Sequence, residues 1–205
     1  MRIQYLLLPV CMILFLAGCT STSVPPVDEY LLSGKAEQCM QKVETDIKCV
    51  RLYPVSVADF LTGDRMLVVG ENGRVYRARH HLWAESVAAQ LGRITRVQLT
   101  SRLPDINWYE SAAPAERKCL RLLIRVDGFQ ATLDGYAEIR GNWKLSSAKG
   151  VLVAKDRFDQ KNPLPKDGYP PMVEALNQGW NLIVNDIARK VAETRIKKND
   201  PDLTN

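Results

Sequence analysis

The chain has 205 residues, 46% of them hydrophobic and 25% charged, with 28 basic and 23 acidic side chains and a formal net charge of +5. That is one ordinary domain or slightly more, long enough to bury most of its apolar surface without a structural metal. The charges are interspersed rather than blocked, so they read as a solvated surface, with a weak attraction to anionic lipid head groups as the functional alternative.

In chain order, Arg2 precedes a twelve-residue, mostly apolar run, "YLLLPVCMILFL", over 5–16, and no acidic residue occurs before Asp28. A membrane-crossing helix needs about 20 apolar residues. The run is too short, and small residues follow it directly, which is the layout of a secretory leader. Its ending, Leu16-Ala17-Gly18-Cys19, resembles the bacterial lipobox, in which the cysteine is lipidated and becomes the first residue after cleavage. Residues 1–18 are therefore expected to be a lipoprotein signal peptide and Cys19 the lipid anchor, leaving 187 residues with a net charge of +4. Several acyl chains hold a protein stably where one does not. Thr20 follows Cys19; the aspartate that resembles an inner-membrane retention signal is absent, which favours the outer membrane. An exported chain does not normally meet nucleic acid, so none is expected as a partner.

Residues 19–28, with the small, proline-bearing "TSTSVPPV", read as a flexible tether. Residues 29–198 are expected to form a single α+β domain and 199–205 a frayed tail. Tyr30 to Ser33 reads as a short strand, 34–46 as a polar loop carrying Cys39, and "IKCVRLYPVSV" over 47–57 as a strand that runs out near Pro54. Asn72-Gly73 between two apolar runs predicts a hairpin over 65–79, because both turn positions tolerate positive φ. From His81 the period changes: Trp83, Val87, Leu91 and Ile94 share one helical face, predicting a helix over 81–102. Residues 104–117 read as a loop holding a short edge strand, in which Trp108-Tyr109 is either packing or an interface pair.

Residues 119–129 and 131–145 alternate strictly. Ala131, Leu133, Gly135, Ala137, Ile139, Gly141, Trp143 and Leu145 share one face, and Thr132, Asp134, Tyr136, Glu138, Arg140, Asn142 and Lys144 the other, so the sheet is buried on one side only. "GVLVAKDRF" over 150–158 adds a strand. Met172, Leu176, Trp180, Ile183, Ile187 and Val191 then form the stripe of a helix of about 27 residues, roughly 40 Å long. The stripe either packs on the sheet face bearing Leu133, Ile139 and Trp143, or stays exposed to grip a partner. The expected architecture is a mostly antiparallel sheet with two long amphipathic helices packed on one face. Trp83, Trp143 and Trp180 fall on apolar faces and are expected in the core.

Chemistry is sparse. Adjacent His80 and His81 diverge on a helix and cannot ligate one metal as an i, i+4 pair can. No GxSxG-like nucleophile turn is present, and no catalytic residue, metal or cofactor is expected. The remaining cysteines, Cys39, Cys49 and Cys119, suit either one disulfide in an oxidising compartment or three buried thiols. Cys39 and Cys49, ten residues apart, are the disulfide candidates, a loop closure worth roughly 2–3 kcal/mol.

"VSVADFLTGDRMLVV" at 55–69, "LWAESV" at 82–87, "DGYAEIRGNWKL" at 134–145 and "DGYPPMVEALNQGW" at 167–180 occur in that order behind the lipobox. Together they resemble the auxiliary lipoproteins of ABC-type and intermembrane lipid transporters over residues 29–195. Ser86-Val87, where the family often has proline and leucine, and the Cys39 loop depart from it. The resemblance implies a non-enzymatic lipoprotein on the periplasmic face of the outer membrane. It implies partnership with an MCE-family tunnel protein and an inner-membrane transporter component, docking or receiving the distal end of a phospholipid tunnel. A cyclic homo-oligomer would match a ring-forming partner. The alternative is a structural or assembly lipoprotein for an outer-membrane barrel or lipopolysaccharide machinery.

Overall fold

The computed structural model describes residues 25–33, 45–110 and 118–194. Residues 1–18, expected to be a signal peptide, together with Cys19, Cys39 and the expected tail at 199–205, lie outside the described residues.

Nine strands form one sheet: β1 (Asp28–Tyr30), β2 (Cys49–Leu52), β3 (Ser56–Val57), β4 (Arg65–Val69), β5 (Val75–Trp83), β6 (Asn107–Tyr109), β7 (Leu120–Thr132), β8 (Tyr136–Ser146) and β9 (Leu152–Pro163). Among the described residues there are two α-helices, α1 (Val87–Arg102) between β5 and β6 and α2 (Tyr169–Glu193) after β9, and two short 3-10 turns at Asp59–Leu61 and Glu71–Gly73.

The sheet is mixed, which corrects the expected antiparallel one. β4–β5, β7–β8 and β8–β9 are antiparallel hairpins. β1–β5, β2–β6 and the pairings of β2, β3 and β4 with β7 are parallel. The cause lies in β7, whose thirteen residues give it one edge for β8 and a second edge that three short segments share end to end. The reading of 47–57 as one strand is corrected accordingly. Pro54 has no N–H to give the ladder, and the strand breaks there into β2 and β3, while Tyr53 N still donates to Leu122 O (3.0 Å) and Ala58 N to Val126 O (2.9 Å).

The β4–β5 hairpin turns at Asn72 (φ 59°) and Gly73 (φ 75°), both left-handed. It closes by Gly70 N donating to Arg74 O at 2.8 Å. Beyond it, β5 continues through His80, His81 and Trp83, so the helix expected from 81 begins at Val87. These residues are held in the strand by pairing on both edges, with β1 at Asp28↔His81 and Tyr30↔Trp83 and with β4 at Arg65↔Leu82. Ser86 then caps α1, its Oγ accepting from Ala89 N at 3.3 Å.

α2 starts after Gly168 (φ 115°) with Pro170 and Pro171 in its first turn, where missing N–H groups cost nothing. It packs on β8 and β9 and reaches β7, while α1 lies beside it and touches β3. The two helices are thus 16 and 25 residues long, so the expected pair of long helices on the sheet is corrected to one long helix, α2, packed on β7–β9, with the shorter α1 beside it. Met172, Leu176, Trp180, Ile183, Ile187 and Val191 are all buried, so the stripe is core and not an exposed grip. Trp83, Trp143 and Trp180 are 4%, 3% and 0% exposed. Leu133 is not part of that core: it is 63% exposed, because 133–135 is a turn, with Gly135 at φ 82°, and the alternation of the strand does not carry through it.

Between the helices runs a polar seam. Trp180 Nε1 donates to Thr95 Oγ1 at 3.2 Å, Gln98 Nε2 donates to Asn181 Oδ1, and Gln90 Oε1 accepts from Leu32 N at 2.8 Å. The first two bonds tie α1 to α2 and the third ties α1 to the chain after β1, although Gln98 Oε1 stays buried without a partner among the described residues. At the outer end Lys190 bonds Asp156 of β9. That bond holds the Asp156 carboxyl below its ordinary range and the lysine above its own.

Under α2, Gly141 of β8 leaves a gap that Phe158 of β9 fills, its ring edge-on to Trp180 with centroids 6.0 Å apart. A Cβ at Gly141 would lie 2.1 Å from Arg125 O and 2.6 Å from Phe158 Cζ. The first of these is backbone in the central strand and cannot swing away. Gly141→Ala is therefore expected to cost about 3 kcal/mol, read as a lower denaturant midpoint at unchanged slope. An unchanged midpoint would show that the β7–β8 pair yields there.

Candidate interaction surfaces

His81 serves structure. His81 Nδ1 lies 3.1 Å from Tyr30 Oη and 3.4 Å from Asp28 Oδ2, and its ring stacks on Tyr169 with centroids 3.9 Å apart. It thereby ties β1 and the start of α2 to β5. Desolvation, with the Asp28 carboxylate beside it, pushes the Tyr30 phenol above its ordinary value. Among the described residues no group of three or more His, Cys, Asp or Glu is placed to hold a metal ion.

The first surface is the sheet face opposite the helices. Along β8 the residues Glu138, Arg140 and Lys144 alternate with buried Ala137, Ile139, Trp143 and Leu145. On β9, Lys155, Arg157, Asp159 and Lys161 are exposed in the same rhythm, and on β7 so are Arg125 and Asp127. Arg125 pairs with Asp127 (2.8 Å), Arg140 with Glu138 (3.5 Å) and Lys161 with Asp134 (3.1 Å). The Asp134 carboxyl, which accepts from Thr132 and Lys161, is held low, and Lys161 is held high. Lys144 and Lys155 face each other directly across β8–β9, and with Arg157 they have no carboxylate partner among the described residues. Like charges directly opposite weaken a sheet, so this pair contributes nothing to the fold.

The second is a groove of about 300 Å³ between the β2–β3 link and the first turns of α1, lined by Leu52, Pro54, Val55, Ala88 and Ala89. Small-ligand sites run from about 300 to 1,000 Å³, so it stands at the lower limit and cannot enclose a two-chain phospholipid.

The third is the end of the sheet formed by the β4–β5 and β7–β8 turns. Leu133 and Tyr76 close over Gly70, where a Cβ would fall 2.9 Å from Leu133 Cδ1 and 3.1 Å from Tyr76 Cε2. Val75, Tyr76 and Leu133 are exposed. Arg74 lies over the Tyr76 ring (5.1 Å) and Lys161 over the Tyr136 ring (4.3 Å).

Of the cysteines singled out from the sequence, Cys49 is joined to Cys119, with Cα atoms 4.7 Å apart. This corrects the expected Cys39–Cys49 pair. Cys49 and Cys119 immediately precede Val50 and Leu120, which are register partners in parallel β2–β7 pairing, so the bridge closes the first rung of that ladder. Trp108 is packed, its Nε1 donating to Leu103 O at 3.3 Å. The sequence pattern placed Glu138, Arg140 and Lys144 on the outward face, but it held no sign that residues 70–76 and 133–136 share one end.

A mixed sheet covered by helices on one face and solvated on the other defines an α+β scaffold that presents surfaces. The chain belongs to the ABC-type transport auxiliary lipoprotein component family, whose model matches residues 30–188. It is 25% identical to the intermembrane transport lipoprotein PqiC of Escherichia coli (strain K12) over 178 residues, 87% of this chain and 92% of that one. Among solved structures, it resembles an uncharacterized protein with TM-score 0.67 and 28% identity, covering 82% of this chain and 99% of that one. A Xanthomonas campestris protein has the same fold, with TM-score 0.69 and 15% identity over 81% and 95% of the two chains.

Proposed function

We propose that this protein is anchored through Cys19 to the periplasmic face of the outer membrane, where it is the lipoprotein subunit of an MCE-type intermembrane phospholipid transport system. In this role it docks or receives the distal end of the lipid tunnel. Family membership and the likeness to an intermembrane transport lipoprotein support the transport role. The observation that carries docking is the solvated face of β7–β9, where Lys144, Lys155 and Arg157 have no carboxylate partner among the described residues. A ring-forming partner is matched most economically by a cyclic homo-oligomer of this chain.

The test is co-purification of the tagged lipoprotein with the MCE-family protein and the transporter, against the variant Lys144→Glu/Lys155→Glu/Arg157→Glu. The wild type is expected to retain the MCE protein, and the variant to lose it while keeping its melting temperature, because no ion pair among the described residues is removed. Failure of the wild type to retain it would overturn the reading. Retention by the variant would move docking off this face.

A further inference from the structure

We infer that the end of the sheet built by Val75, Tyr76 and Leu133 rests on the lipid surface that carries the anchor, and so fixes which way the domain stands. This rests on the reading of Cys19 as the lipidated residue. Three observations carry it.

The first is the direction of the chain. β1 is parallel to β5, with Asp28 opposite His81, so both strands begin at the same end. β5 begins at Val75, beside the β7–β8 turn. Entering β1, the chain thus comes from the side of the Val75, Tyr76 and Leu133 end, through Pro25, Pro26 and Val27, which are exposed. From His81 back to Val75 is six residues of strand, about 20 Å. From Cys19 to Asp28 is nine residues, which span at most about 30 Å. The anchor can therefore reach the plane of this end with roughly 10 Å to spare, which lets the lipid surface meet it.

The second is chemistry. Exposed aliphatic and aromatic side chains ringed by cations suit the boundary between head groups and acyl chains. Leu133 and Tyr76 supply the apolar part; Arg74 stands over the Tyr76 ring, and Lys161, over the Tyr136 ring, is paired with Asp134, so Arg74 is the cation that would meet anionic head groups. The third is economy. Leu133, at 63%, is the most exposed large hydrophobic residue among the described ones. The fold leaves most of its side chain outward, with only its tip packed over Gly70.

The opposite end supplies a control, because the β8–β9 turn also carries exposed apolar residues, Val151 and Leu152. The experiment uses the full acylated chain in vesicles of phosphatidylethanolamine and phosphatidylglycerol. A Cys39→Ser background carries either Leu133→Cys or Val151→Cys, labelled with a fluorophore. Flotation with the vesicles reports the anchor separately from the label. The expected result is that the protein floats, that nitroxide-bearing lipid quenches most of the fluorescence at 133, and that the label at 151 keeps its intensity. A floating protein whose label at 133 is not quenched, or is quenched no more than that at 151, overturns the orientation and leaves the anchor standing. A protein that does not float overturns the anchor and the orientation with it.

Discussion

Trp180→Ala is expected to destabilise the domain by about 3–5 kcal/mol, the usual cost of removing a buried aromatic side chain. Trp180 is fully buried at the centre of α2, and three separate elements meet on it. Its ring takes the edge of Phe158 from β9, its Nε1 donates to Thr95 of α1, and the neighbouring Gly179 lets α2 approach Ile139 of β8, where a Cβ would fall 2.8 Å from Ile139 Cδ1. With no side chain over that glycine the helix cannot drop further to fill the space left by the indole, so the cavity stays open. Thr95 Oγ1 loses its donor in the same step. The measurement is equilibrium denaturation of the mature domain with near-ultraviolet circular dichroism. Leu182→Ala, a large-to-small change at an exposed position of the same helix, serves as control and should move stability by no more than about 0.5 kcal/mol. An unchanged midpoint for Trp180→Ala would mean that α2 is not held to the sheet through this residue.

The features legible in the sequence are those written in short-range pattern. Asn72-Gly73 announced the β4–β5 turn because its left-handed backbone is a local demand. The i, i+4, i+8 stripe from Met172 announced α2 because burial on one side of a helix leaves a period. The alternation of 137–145 announced a one-sided sheet for the same reason. The failures came where two patterns coincide or where distance intervenes. Trp83, Val87, Leu91 and Ile94 are spaced like one helical face, and all four are buried, yet Trp83 ends a strand and only the other three belong to α1. Strand and helix feed one core, so their inward residues fall into a common rhythm across the junction. Leu133 and Gly135 kept the phase of β8 through a turn, which sequence alternation cannot distinguish from strand. The parallel pairings of β2, β3 and β4 with β7 join segments more than fifty residues apart and leave no mark in any local window. The same distance hid the apolar end, which exists only once β4–β5 and β7–β8 are in register. The outward cations of β8 were visible as an alternating set, whereas the facing of Lys144 and Lys155 depends on the β8–β9 register.

Replacing both Cys49 and Cys119 by alanine is expected to cost about 4 kcal/mol, more than the ten-residue loop read from the sequence would have supplied. The bridge joins residues 70 apart in the chain, and the entropy it removes from the unfolded chain grows with the logarithm of that span. It also acts where it is needed. β2 contributes only three residues to its pairing with β7, and among the described strands β6 pairs with β2 alone. Without the bridge, β2 and β6 form the part of the sheet with least to hold it, and they should open before the β7–β8–β9 hairpins do. Spacing along the chain favoured Cys39 as the partner, but proximity in a parallel ladder is set by register, and register places Cys119 beside Cys49. Peptide mapping without reductant should therefore recover the Cys49 and Cys119 peptides linked. Cys39→Ser should leave the denaturant midpoint where it is, while the double alanine variant loses stability and exchanges the amide protons of β2 and β6 fastest. Recovery of a Cys39–Cys49 peptide, or a large loss of stability in Cys39→Ser, would reverse the assignment.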